Sequence, residues 1–157
     1  MQKITPCLWF DTQAEEAARF YVSIFKNSKI GDISRYGEAG PGPEGSVLTV
    51  AFELDGVRFT ALNGGPVFKF NEAISLQVDC ADQVEVDELW DRLTADGGQT
   101  GQCAWLKDRY GVSWQIVPRI LLELLVDPDP IRSQRVMAAM MRMTKIDIAK
   151  LREAYAG

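Results

Sequence analysis

The sequence predicts an α+β chain made of two βαβββ repeats followed by C-terminal helices. Three observations carry this. Strand-like and amphipathic stretches follow the order strand, helix, strand, strand, strand, and that order occurs twice, with helix starts about 70 residues apart. Turn residues punctuate the runs, and Asp55-Gly56 between two apolar runs is a strong hairpin signal. Beyond Pro118 the strand pattern stops and helical spacing takes over.

In the first repeat, Ile4 to Phe10 reads as a strand. Thr12-Gln13-Ala14-Glu15 has capping-box spacing, in which a hydroxyl and a carboxylate satisfy free amides at a helix start. Ala14, Ala17, Ala18, Tyr21 and Phe25 then mark one helical face. A strand near Ile30 to Tyr36 follows. Residues 37–45, Gly-Glu-Ala-Gly-Pro-Gly-Pro-Glu-Gly, form a loop by composition, readable as a mobile lid or as a loose hairpin connection. Strands Val47 to Leu54 and Val57 to Asn63 complete the unit. Asn63-Gly64-Gly65-Pro66 suits a turn better than a phosphate cradle, since no helix follows to supply a dipole.

The second repeat opens with a strand over Ala73 to Cys80. Asp82 and Glu85 stand at capping-box spacing, and Val86, Leu89, Trp90 and Leu93 form the helix face, with Gly97 after the last turn. Gln99 to Gln102 is a candidate edge strand. Cys103 to Lys107 and Val112 to Val117 read as a hairpin. Two such units, each sheet covered by its own helix, can bring their uncovered faces together around a pocket. Ile120 to Val126, Ile131 to Arg142 and a segment carrying Ile148, Leu151 and Tyr155 read as helices. Asp127-Pro128-Asp129-Pro130 separates the first two, and Thr144 and Asp147 resemble a cap for the third. The expected organisation is a paired βαβββ domain over 1–118, with halves of about 1–70 and 71–118. Residues 119–157 form a helical extension packed on that domain or on a dimer partner. This extension carries seven Lys/Arg and five Asp/Glu, a net of +2 beside a body at −7.

The net charge of −5 argues against nucleic acid or an anionic membrane as a partner. No apolar run approaches the ~20 residues that span a bilayer, and MQKITPCLWF lacks a signal peptide's apolar core, so the expected location is the cytoplasm. Cys7, Cys80 and Cys103 are odd in number, widely spaced and without a CxxC, which fits free thiols. The chain has no histidine, which removes Ser-His, Cys-His and His-metal chemistry built from this chain alone.

Four stretches, EEAARFYVSIF, LNGGPVFKFNEAISLQVDC, CAWLKDRYGVSWQIVP and VMAAMMRMTKIDIAKLREAYAG, together with the repeat, resemble the vicinal oxygen chelate superfamily of glyoxalases, bleomycin-resistance proteins and dioxygenases. The resemblance is to its PhnB-like branch, labelled 3-demethylubiquinone-9 3-methyltransferase. It implies two curved mixed sheets forming a half-barrel, and a homodimer. In metal-binding members the ligands come from the inner faces, as a His or Glu on the first strand of each half and a Glu on the last strand. By register Gln115 takes that last Glu position. Ala73 or Ser75 stands at the second-half His, and Thr5, Cys7 or Trp9 at the first. An amide is a poor substitute for a carboxylate and alanine is no ligand, so no metal and no cofactor are expected.

Alternation then gives an inner wall of Thr5, Cys7, Trp9, Ser75, Gln77 and Gln115, with Asn63, Phe70 and Trp105 as further contributors. Ile4, Leu8, Phe10, Ile74, Leu76, Val78 and Trp114 face the helices. Neutral hydrogen-bonding groups beside aromatic rings suit a small, aromatic or amphiphilic ligand. Each polar position has a plainer reading as a solvated sheet face, and for Trp9 and Trp105 core packing weighs at least as much as ligand stacking. Cys7 has no neighbour in sequence that would lower its pKa. The favoured function is metal-free binding of a small molecule. The alternative is an enzyme, either a metal-assisted lyase, isomerase or dioxygenase, with the metal borrowed through Gln115 and Cys7, or one polarising its substrate through amides and Lys107. Methyl transfer is disfavoured, because the glycine-rich strand-helix turn that cradles S-adenosylmethionine is absent. The methionines near Met140 are the candidate dimer interface.

Overall fold

A computed structural model describes all 157 residues, which divide into two compact units, Met1–Phe70 and Asn71–Gly157. The first holds β1 (Cys7–Phe10), α1 (Ala14–Ile24), β2 (Lys29–Arg35), β3 (Val47–Leu54) and β4 (Val57–Asn63). Its sheet runs β1-β4-β3-β2, with β1 parallel to β4 and the other pairs antiparallel. The second holds β5 (Leu76–Cys80), α2 (Gln83–Thr94), β6 (Gln99–Thr100), β7 (Trp105–Lys107) and β8 (Ser113–Pro118). After these come α3 (Arg119–Leu125), α4 (Pro130–Met140) and α5 (Ile148–Ala156). Its sheet repeats the plan as β5-β8-β7-β6, again with one parallel pair. The α+β class, the two βαβββ modules and the C-terminal helices are as the sequence predicts.

Period-two alternation builds each core. In the first unit Leu8, Phe10, Val50, Phe52, Leu54, Phe59 and Ala61 are buried, as are Ala14, Ala17, Ala18, Tyr21 and Ile24 of α1. Phe52 stacks on Phe59 at 5.3 Å. Asp55 and Gly56 both adopt positive φ, 47° and 78°, which is what the two-residue β3–β4 hairpin demands. In the second unit Leu106, Trp114 and Ile116 are buried, as are Val86, Leu89, Trp90 and Leu93 of α2.

A second core lies among the C-terminal helices, where Ala104, Val117, Leu121, Val136, Ile146 and Leu151 pack together. Backbone bonds from Cys103 to Met143 and from Ala104 to Thr144, each 2.9 Å, hold this segment against the β6–β7 connection. Gln83 of α2 spans to it as well, donating to the Ile146 carbonyl and accepting from the Ile148 amide. Helix starts obey local chemistry: Asp129 caps α4 and Asp147 caps α5.

Four expectations need correction. β1 begins at Cys7, not Ile4, because Pro6 has no N–H to give the ladder; Ile4 is 87% exposed and does not face α1. β5 begins at Leu76, opposite the second residue of β8, so Ile74 is likewise exposed, at 69%. The Thr12–Glu15 capping box does not form. Glu15 pairs with Arg19, and the Ala14 amide is bonded instead by Asn63 Oδ1 at 2.8 Å. Met140 packs on the C-terminal core, and the exposed methionines of α4 and its end are Met137 and Met141.

Candidate functional site

In the first unit, the sheet face opposite α1 carries Cys7 and Trp9, paired with Thr60 and Leu62. Thr5 lies just before β1 and is exposed. Trp9 is half-buried beneath the Asn63–Phe68 segment: its Nε1 donates to the Gly65 carbonyl at 2.9 Å, and Phe68 meets its ring edge-on at 5.0 Å. A side chain at Gly64 would run into that ring, which explains a glycine there. Asn63 belongs to the other face. Its Oδ1 caps α1 and its Nδ2 donates to the Val47 carbonyl at 3.1 Å, so both ends of the amide are committed. Phe70 meets the buried Phe10 ring edge-on at 5.2 Å.

Residues 37–45 are organised around Tyr36. Its amide and carbonyl bond Ser46 and Gly45, and its hydroxyl donates to the Asn63 carbonyl at 2.5 Å. Gly40 and Gly42 lie against opposite edges of its ring, where a Cβ would sit 2.6 Å and 2.5 Å from ring carbons. The glycines are therefore a packing requirement of the tyrosine.

The second unit brings four predicted residues together. Gln77, Gln115 and Trp105 are direct cross-strand partners on β5, β8 and β7, so they form one row on the face away from α2. Ser75 joins them, its Oγ accepting from Gln115 Nε2 at 2.9 Å. A second row, Gln99, Lys107 and Ser113, runs beside the first on the same face. The β7–β8 turn fixes both rows. Asp108, nearly fully buried, accepts from the Tyr110 and Val112 amides and from Trp114 Nε1 at 2.9 Å, locking Trp114 under the helix and Gln115 on the open side.

Beside the second row lies a cavity of about 480 Å³, lined by Trp105, Lys107, Ser113, Gln99, Thr100 and Glu72 among others; Ser75, Gln77 and Gln115 are not part of its lining. Lys107 and Glu72 form an ion pair at its rim, and the Lys107 ammonium holds the Glu72 carboxyl below its ordinary pKa. Ser113 is 2% exposed, and its Oγ has no hydrogen-bond partner. The wall predicted from sequence omits Ser113, Lys107 and Glu72. Strand alternation alone places Ser113 and Lys107 beside Gln115 and Trp105, while nothing in the sequence ties Glu72 to Lys107.

The repeat allows a position-by-position comparison. Cys7 pairs with Thr60 as Gln77 pairs with Gln115, and the same register makes Lys29, Ala51, Glu53 and Arg58 the counterparts of Gln99, Trp105, Lys107 and Ser113. Those four residues line a smaller hollow of about 210 Å³ in the first unit. There the charged groups are partnered: Lys29 pairs with Glu53 at 3.6 Å, and the Arg58 guanidinium donates to the Gln2 carbonyl at 2.6 Å.

Cys7 and Cys80 are poor nucleophiles. Desolvation raises the Cys7 pKa. Burial, with the carboxylates of Glu85, Asp79 and Asp82 nearby, pushes the Cys80 thiol up to about 12. Nowhere do three His, Cys, Asp or Glu side chains come together as a metal cluster. No helix is long and apolar enough to cross a membrane.

The model of the family described as 3-demethylubiquinone-9 3-methyltransferase matches residues 2–117. Among solved structures, a PhnB protein from Bacillus cereus shares 40% identity over 74% of this chain and 99% of its own, with a TM-score of 0.68. Protein PA1353 from Pseudomonas aeruginosa shares 18% over 75% of this chain and 98% of its own, with a TM-score of 0.61, a likeness of fold. No curated protein matches the chain.

Proposed function

The chain belongs to the 3-demethylubiquinone-9 3-methyltransferase family, the PhnB-like branch of the vicinal oxygen chelate superfamily, and on that premise we propose that it binds a small molecule without the superfamily's usual metal centre. The observation that carries this reading is the bond between Gln115 and Ser75. Two neutral groups satisfy each other, Gln115 at the position where the resemblance calls for a carboxylate and Ser75 at one of the two where it calls for an imidazole. A divalent transition ion needs several thiolate, imidazole or carboxylate donors. A chain without histidine and without a three-residue cluster of such donors does not fit one.

The ligand face is then Ser75, Gln77, Trp105 and Gln115, with the first-half residues Thr5, Cys7 and Trp9 as further candidates. An indole beside amides and hydroxyls favours a small aromatic or amphiphilic molecule. Native mass spectrometry of the untagged protein tests the reading. A retained organic molecule, or binding of added aromatic probes without metal, supports it. About one tightly held divalent ion per chain would overturn the metal-free part.

The competing reading is the methyl transfer named in the family description. Both strand-helix turns, Asp11-Thr12-Gln13 and Ala81-Asp82, lack the glycines that let a nucleotide-like cofactor approach the backbone. Saturable S-adenosylmethionine binding by calorimetry would restore it. We place the protein in the cytoplasm, consistent with three free thiols. We also propose a homodimer through the apolar surface of α3 and α4, where Val126, Ile131 and Met141 are exposed. Met141→Asp should then shift light scattering toward the monomer; an unchanged dimer would locate the interface elsewhere.

A further inference from the structure

We propose that the cavity on the open face of the second sheet is a carboxylate subsite that takes a small aromatic acid, Lys107 and Ser113 holding the carboxylate and Trp105 the ring. The inference rests on the small-molecule reading above and names the ligand's chemical class.

The first support is an unsatisfied group. A buried hydroxyl without a partner has lost its water and gained nothing in return, and native structures keep few of them. The Ser113 Oγ is such a group, its residue is among those lining the cavity, and a serine hydroxyl can donate to an incoming acceptor. The second support is register. Lys107 and Ser113 are direct cross-strand partners, so their side chains rise from the same face about 5 Å apart at the Cα atoms. One carboxylate, with its two oxygens, can accept from both. Trp105 lies two residues earlier on the same strand and face, about 7 Å along the sheet. That offset leaves a ring attached to the carboxylate lying against the indole.

The third support is the ion pair already present. Lys107 is held by Glu72, which lies in the segment before β5 and is 60% exposed at its side chain. Glu72 supplies the carboxylate that a ligand would replace, and on leaving it returns to water. The replacement is favourable because a ligand anion satisfies Ser113 as well, which Glu72 does not. The first unit provides the internal contrast. At the counterpart of Ser113 stands Arg58, at that of Lys107 stands Glu53, and at that of Trp105 stands Ala51. That hollow is less than half the volume and has neither an indole nor a buried unpartnered hydroxyl. The same place in the repeat is narrow and lined by paired charges in one copy and wide in the other.

The test uses the full chain labelled with ¹⁵N at tryptophan, with 2-naphthoate and its neutral isostere 2-naphthamide as probes. Trp105→Phe assigns the Trp105 indole resonance. We expect 2-naphthoate to shift that resonance saturably and 2-naphthamide to bind about tenfold more weakly. Ser113→Ala and Lys107→Met should each weaken 2-naphthoate about tenfold, whereas Glu72→Gln should tighten it by removing the competing anion. Ser113→Ala deletes an unpartnered hydroxyl, so its urea midpoint should not fall. Equal affinity for the acid and the amide, or affinity unchanged by Ser113→Ala and Glu72→Gln, overturns the carboxylate subsite and leaves ligand binding on this face standing. If neither probe moves Trp105 at millimolar concentration, both readings fall together.

Discussion

Asn63 decides between two roles, and a single substitution separates them. Its position beside the first-half wall makes it a candidate ligand residue, yet its Oδ1 accepts from the Ala14 amide at 2.8 Å and its Nδ2 donates to the Val47 carbonyl at 3.1 Å. Asn63→Ala removes both bonds. Loss of a helix cap costs about 1 kcal/mol, and loss of a neutral hydrogen bond about 1 kcal/mol more. Ala14 is fully buried, so water does not readily replace the lost cap, and the orphaned amide adds about 1 kcal/mol. The sum is roughly 3 kcal/mol, a large share of a 5–15 kcal/mol domain stability. With a urea m-value of about 2 kcal/mol/M the midpoint should fall by about 1.5 M at unchanged m. Asn63→Asp keeps the acceptor and adds a favourable charge at the helix N-terminus, but loses the donor to Val47; it should cost about half as much. Probe affinity should stay at the wild-type value in whatever fraction is folded. A midpoint within 0.3 M of wild type for Asn63→Ala would refute the capping role. Weakened probe binding at unchanged midpoint would make Asn63 a ligand residue.

Gly42→Ala forces a methyl against the Tyr36 ring, whose hydroxyl is tethered to Asn63; a loss of about 1–3 kcal/mol is expected by urea unfolding, and a neutral result would mean the 37–45 loop does not clamp the ring. Cys80, with its thiol pushed up to about 12 and no exposed surface, should resist iodoacetamide at pH 8 until the protein unfolds. Rapid labelling of native Cys80, read by peptide mass spectrometry, would contradict its burial. Lys145 and Gln83 hydrogen-bond Asp87 and lower its carboxyl pKa, tying α2 to the segment before α5. Because the folded pKa lies below the unfolded one, this contribution is complete above about pH 4 and is lost as pH falls through the folded pKa. Both groups are half-exposed, so the effect is small and salt-sensitive. The acid limb of stability should therefore be less steep in Asp87→Asn, and identical limbs would remove the pair from the balance.

Caps show where the sequence was legible and where it was not. α2 is capped by its own neighbours: Asp82 accepts from the Glu85 amide at 2.9 Å, and Glu85 reaches back to Ala81. Everything that fixes that start lies within five residues, so spacing alone finds it. α1 carries a motif of the same appearance, Thr12 to Glu15, and does not use it, because Asn63 arrives from the end of β4, 49 residues away in sequence. The register explains the asymmetry. Asn63 pairs with Phe10 as Pro118 pairs with Cys80, so the second repeat has a proline where the first has a capping amide. Proline offers no side-chain acceptor, and α2 must supply its own. Strand cores and hairpins were legible because they rest on period-two burial and on Asp-Gly turn chemistry. Strand beginnings were not, because they depend on whether a partner strand extends that far.

The same reasoning explains why the candidate site emerges only in part from the sequence. Alternation puts Gln115 and Ser113 on one face with equal force. What separates them is the satisfaction of each group, which no pattern encodes. Gln115 has found Ser75, and Ser113 has found nothing. An unpaired buried hydroxyl costs about 1–3 kcal/mol, and a ligand that supplies its acceptor recovers that amount on binding. In the first repeat Arg58 and Glu53 are paired within the chain, so a ligand there would first have to break those contacts. Binding is therefore favoured in the second repeat by the difference between a group awaiting a partner and groups that already have one.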